Sequence, residues 1–346
     1  MKNTLYLLLV IVAFFSCEND KKSTKDASTL KEINVYTHRH YESDQELFKA
    51  FEEESGIKVN VINASADELI QKMVLEGEQS PADVLITVDA GRLHRAKAKN
   101  LLQPITNSKI DSIVPSHLKD KENYWFGLTK RARVIVYAKD RVDPMELSSY
   151  ENLVDEKWKN KIVVRSSSNI YNQSLMASII ANDGEDAAKM WAEALVNNMA
   201  RSPKGNDRDQ VKAVAGGEAD LAIVNTYYIG KMLNSKDQAE LDAAQSVEVF
   251  FPNQEDRGTH INVSGIGVAK YAPNQEAAIQ FITYLLSEKS QKIFASSNYE
   301  YPVNPNVENA EVLKSWGSFK EDQLNLSKLG ELNKKAVILF DEAGWK

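Results

Sequence analysis

The chain has 346 residues, 43% hydrophobic and 26% charged, a globular make-up with room for about two domains that excludes collagen-like, disordered and multi-span membrane classes. Its 42 Lys and Arg against 49 Asp and Glu leave a net charge of −7 with no dense basic stretch, so a nucleic-acid partner, which needs a positive groove, is not expected. Cys17 is the one cysteine, which excludes an intrachain disulfide and a cysteine-based zinc site.

In chain order, Lys2 is followed by an apolar run from Leu5 to Phe15, then Ser16-Cys17 and a polar stretch. The run is too short to span a bilayer as a helix but suits a signal-peptide core. It resembles a bacterial lipoprotein signal, although Phe14 stands where that signal usually carries an aliphatic residue. The resemblance implies that residues 1–17 are a signal ending in the lipid-bearing Cys17, that 18–28 form a tether, and that the protein is exported. A plain secretory signal with an incidental cysteine is the other reading.

Ile33 to Tyr36 alternates as a strand does. Ser43 with Glu46 fits a capping box, Leu47, Phe48 and Phe51 make an apolar helix face, and Gly56 is a natural stop. Ile57, Val59 and Val61 alternate again, a helix is expected over 67–75, and Val84-Leu85-Ile86 reads as a strand buried on both faces. A second unit contains a strand at 162–164, helices over 172–181 and 187–199, and a strand at 221–224; residues 274–295 read as one long helix. The fold class expected is α/β, two lobes, each on a parallel sheet.

Ligands in open α/β sheets bind beyond the carboxyl ends of the strands. Three such ends deliver His40 and Tyr41, Tyr171, and Tyr227 and Tyr228. Phenols ionise near pH 10, so several phenolates at neutral pH need a strong cation, and hard oxygen donors favour a hard, highly charged metal. Fe(III) meets both demands. The same side chains could instead pack in the core or cage an organic or anionic solute.

The motifs Val35-Tyr36-Thr37-His38-Arg39-His40-Tyr41, Gly127 to Val134, Asn225-Thr226-Tyr227-Tyr228, Gly258 to Gly265 and Tyr301 to Pro305 resemble those of the ferric-iron-binding proteins of bacterial iron ABC transporters. That resemblance implies a two-lobe periplasmic binding fold with two hinge crossings and the ligand in the cleft between lobes. It further implies Fe(III) held by Tyr41, Tyr171, Tyr227 and Tyr228, with His40 a further ligand in some members and a carbonate-like anion in others. Arg131 would lie near the metal or anion, with Arg133 the competing choice. One lobe would comprise 29–129 and 258–304, the other 130–257 and 305–346. The implied protein is a monomer of the periplasm, anchored through its lipid, that delivers iron to a permease and is not an enzyme.

Other constellations carry simpler expectations. His38 and His40, with Asp44 or Asp89, could make a two-histidine, one-carboxylate iron site of a metallo-enzyme. His94 and His117 read as surface residues, and the Ser166 to Ser168 run as caps for the next helix or an anion cradle. The acidic runs 44–46 and 52–54 read as solvated helix faces, Gly216-Gly217 as a turn, and Trp316 and Trp345 as anchors of a docked tail.

Overall fold

The computed structural model describes residues 31–346. The signal, the tether and Cys17 lie outside the described residues. Ten strands form the sheet: β1 (Glu32–Thr37), β2 (Lys58–Asn63), β3 (Val84–Val88), β4 (Leu102–Gln103), β5 (Phe126–Ala138), β6 (Ile162–Val163), β7 (Leu221–Asn225), β8 (Val247–Phe250), β9 (Ile261–Ala269) and β10 (Tyr301–Pro302). The main order is β2-β1-β3-β9-β5-β7-β6, with β4 on β9 and both β8 and β10 on β5.

The strands expected at 33–36, 84–86, 162–164 and 221–224 all form, but the sheet is mixed. It is parallel only within β2-β1-β3 and β6-β7, and antiparallel wherever β9 or β5 takes part. The reason is β5, a single strand of 13 residues. Its first part, Phe126 to Ala132, pairs with β9, and its second, Arg133 to Ala138, pairs with β7 and β8. One strand thus belongs to both halves of the sheet. Every residue of β3 and β9 is buried, which explains the continuous apolar run Val84-Leu85-Ile86 in β3. Close approach at this seam requires glycine at position 265, where a Cβ would sit 2.7 Å from the Phe126 carbonyl oxygen and 2.6 Å from Leu93 Cδ1.

The helix after β1 spans Glu42–Ser55, and its Leu47, Phe48 and Phe51 are buried. Phe48 and Phe51 meet Phe281 edge-on at 5.2 and 5.0 Å, and Gly56 closes the helix at φ 70°. The Ser43–Glu46 capping box does not form; the N-cap is Tyr41, and Ser43 accepts a hydrogen bond from Asn298 Nδ2 instead. Asp44 is also not solvated, because Arg39 holds it in the interior. The long helix expected over 274–295 is two, Gln275–Leu285 and Glu288–Asn298, because Ser287 caps the second through Ser290 N–H.

The tail docks through Trp345, which is buried between Phe340 and Trp191 and donates from Nε1 to the Arg165 carbonyl. Helix Ser327–Glu331 packs on both Ala90–Ala98, which follows β3, and Ile170–Asp183, which follows β6. Position 330 lies against the His94 side chain. His94 and His117 are accordingly half-buried, each with one ring nitrogen buried and unpartnered, and burial lowers both pKa values. No helix among the described residues is long and apolar enough to cross a membrane.

Candidate metal centre

Three of the four tyrosines are brought together by the starts of two helices. Asn169 caps Ile170–Asp183 by accepting from Tyr171 N–H at 3.0 Å, which fixes Tyr171 in the first turn. Asn225, the last residue of β7, precedes Thr226–Leu233, whose first turn carries Tyr227 and Tyr228. The Tyr171 and Tyr227 hydroxyls lie 3.2 Å apart, and the rings of Tyr227 and Tyr228 pack with centroids 4.2 Å apart. Asn169 is the cap of the Tyr171 helix, and the Ser166 and Ser168 hydroxyls bond to each other and not into the helix.

Tyr41 comes from the other half of the sheet and is joined to this group by a cation. Lys231 Nζ, on the Tyr227 helix, lies 3.5 Å from the Tyr41 ring centroid and 5.9 Å from that of Tyr227. Arg39 sits 4.8 Å from the Tyr41 ring, held by Asp44 and Glu300. Lys231 escaped the sequence reading, although it stands four residues after Tyr227, a spacing that places both on one helix face. His40 is exposed, with its ring 5.8 Å from that of Tyr41.

Tyr171 is ringed by guanidinium groups, with Arg165, Arg131 and Arg133 at 5.4, 5.5 and 5.8 Å. Both Arg131 and Arg133 are buried and share this face, as their spacing on one strand predicts. Arg133 and Arg165 pair with Asp207, whereas Arg131 reaches Asp89 at 3.4 Å and leaves its Nε and Nη1 unpartnered. The gap between Arg131, Arg133 and Tyr171 is too tight for a water molecule.

Asp89 is a junction. Held at φ 90°, it takes Gly91 N–H and Ser174 Oγ on one oxygen and Arg131 and Asn262 Nδ2 on the other. It therefore has no free lone pair to offer a metal. Asp44 is committed through both oxygens to Arg39, and the His38 Nδ1 accepts from Val88 N–H. Among the described residues no three His, Cys, Asp or Glu side chains converge as a metal site. The expectation of a His38–His40–carboxylate centre is contradicted by these prior commitments.

Burial pushes the phenols of Tyr41, Tyr227 and Tyr228 well above their ordinary value, and neighbouring tyrosines add to the rise because two phenolates repel. Burial likewise takes His38 down to about 3, and the surrounding Arg92, Arg39 and Arg131 reinforce it, so its ring is neutral in the physiological range. Lys231 is drawn down to about 8, chiefly by burial. The phenols of Tyr41, Tyr227 and Tyr228 are thus protonated across the neutral range.

Residues 46–321 match the bacterial extracellular solute-binding protein family. The chain is 51% identical to iron uptake protein A1 of Synechocystis over 91% of its own length and 88% of that protein's. It is 30% identical to the major ferric iron-binding protein of Neisseria meningitidis over 93% and 96%. In solved structures it resembles the Trichodesmium IdiA (FutA) protein in complex with iron and citrate ligands, with a TM-score of 0.89 at 51% identity over 91% of this chain and all of that one. It also resembles a ferric binding protein from Campylobacter jejuni, with a TM-score of 0.86 at 46% identity over 91% and 100%. These likenesses bear out the two-lobe α/β expectation. The chain belongs to the bacterial extracellular solute-binding proteins, in the group that contains these iron-uptake and ferric-iron-binding proteins.

Proposed function

We propose that this protein captures Fe(III) in the periplasm and hands it to an ABC-type permease, with Tyr41, Tyr171, Tyr227 and Tyr228 as phenolate ligands. The observation that carries the reading is the Tyr171–Tyr227 hydroxyl contact, with Tyr228 packed beside it and Tyr41 reached through Lys231. Phenols held this close in a buried site cannot ionise together without a metal, and a trivalent ion offsets that cost best. His40, exposed beside Tyr41, is a candidate fifth ligand from solvent's side.

The lobes in this reading are 29–129 with 258–304, and 130–257 with 305–346. Their crossings fall in β5 and at the start of β9, the two strands that join the halves of the sheet. Tyr41 would come from one lobe and the other three tyrosines from the second, so that loading and closure are coupled. Arg131 and Arg133 act on Tyr171 as neighbouring charges; the tight gap between them favours that role over seating a carbonate in this arrangement. The protein binds its ion without turnover, works as a monomer, and is anchored through a lipid on Cys17.

The test is ferric loading of the intact chain followed by elemental analysis. One iron per chain is expected, and none in Tyr227→Phe/Tyr228→Phe. Retention of a full equivalent by the double variant would overturn the tyrosine site. A ligand screen that finds an organic solute and no iron would favour the cage reading.

A further inference from the structure

Five cations lie within reach of the tyrosine rings: Arg39 and Lys231 at Tyr41, and Arg131, Arg133 and Arg165 at Tyr171. Four carboxylates answer them. Asp44 and Glu300 pair with Arg39, Asp89 with Arg131, and Asp207 with both Arg133 and Arg165. Five against four leaves a single positive charge. Lys231 is its most direct carrier, because its ammonium makes no ion pair or hydrogen bond among the described residues and rests on the Tyr41 ring face at 3.5 Å.

The metal would bring the opposite imbalance. Four phenolates around Fe(III) carry a net charge of minus one, and around a divalent ion minus two. An uncompensated charge in a buried site is costly, so the core needs one cation that is not already spent. Resting on the tyrosine site proposed above, we infer that Lys231 is the built-in counter-charge of a tetraphenolate–Fe(III) core. Its place on the ring face of Tyr41 puts it against the phenolate's electrons, where it stabilises the anion through a cation–π contact. Lys231 is in this sense a positioning residue, not a ligand.

The role is read by Lys231→Met and Lys231→Arg in the full chain, each titrated with ferric citrate and followed by visible absorption. Lys231→Met keeps the stem's length and apolar packing while removing the charge. It should weaken Fe(III) retention by about ten- to a hundredfold, the size expected for one unit charge a few ångströms away at partial screening. It should also move the phenolate-to-iron band to longer wavelength, because an unsupported phenolate gives up its electron more readily. Lys231→Arg should restore both, and circular dichroism should show both variants folded. A band and an affinity unchanged in Lys231→Met would overturn the counter-charge, and so would a loss of affinity that Lys231→Arg fails to rescue in a folded protein. If the unaltered protein shows no band at all, the tyrosine site itself falls and this role falls with it, a result distinguishable from the other two.

Discussion

The hydroxyls of Tyr171 and Tyr227 lie 3.2 Å apart although the residues are 56 positions apart in the chain. Two helix starts, one capped by Asn169 and one following Asn225, aim both side chains at one point. Replacing Tyr227 and Tyr228 together by Phe removes two oxygen donors and keeps the ring packing. Iron retention against citrate should fall by more than about a hundredfold with little change in thermal stability. Competition titration and a melting curve of the unloaded protein check both halves.

His38 gives the contrasting case. It is neutral, committed to Val88 N–H, and set on no metal group. His38→Ala should leave iron affinity within about threefold of the parent, well under the loss expected for a donor. A loss as deep as that of the tyrosine double variant would return the histidines to the centre of the account.

Acid should release the metal. The phenols of Tyr41, Tyr227 and Tyr228 are pushed upward, so the unloaded protein holds their protons across the neutral range and binding must expel them. Binding is therefore favoured as pH rises and lost as it falls, by about one decade of affinity per pH unit for each phenol ionised. Iron retention measured from pH 7.5 to 5, corrected for the chelator's own protonation, gives that count; a flat profile would exclude phenolate ligation.

Arg39 braces the site from below. It is buried between Asp44 and Glu300, so Arg39→Leu leaves two buried carboxylates unpaired and should cost about 3–5 kcal/mol in urea unfolding. Burial pushes Glu300 up, but Arg39 overrides it and the carboxyl stands below its ordinary value. A carboxyl so lowered contributes stability above the ordinary carboxylate range and loses it as pH falls through its folded value. The parent should thus destabilise steeply in acid and the variant less so.

Trp345 ties the tail to the same neighbourhood, since its indole N–H holds the Arg165 carbonyl and the Arg165 guanidinium lies 5.4 Å from the Tyr171 ring. Trp345→Ala should cost about 3–5 kcal/mol by the cavity it opens. It should also weaken iron retention, measured by the same competition.

The strands and the tyrosines were legible because both are local signals: continuous apolar runs mark buried strands, and a phenol just past a strand end marks a cleft. What stayed hidden depends on partners far away in the chain. Asp44 reads as solvated until Arg39 turns back to meet it, and Asp89 reads as a free carboxylate until Arg131, Ser174 and Asn262 claim its oxygens. Ser43 with Glu46 has the spacing of a cap, yet Asn298 takes the Ser43 hydroxyl and the helix begins earlier, at the tyrosine itself. The break at Ser287 was readable in principle, since a serine before an acidic first turn is a cap signal, but the apolar period on either side outweighed it. Lys231 draws no reading because nothing local announces a ring from the other half of the sheet.

The central claim is most directly tested by the visible spectrum of the full chain titrated with ferric citrate from pH 7.5 down to pH 5. The account predicts a red-orange phenolate-to-iron band that saturates at one equivalent and bleaches on acidification. Absence of any band at every pH would contradict it and leave a two-lobe binder of some other solute.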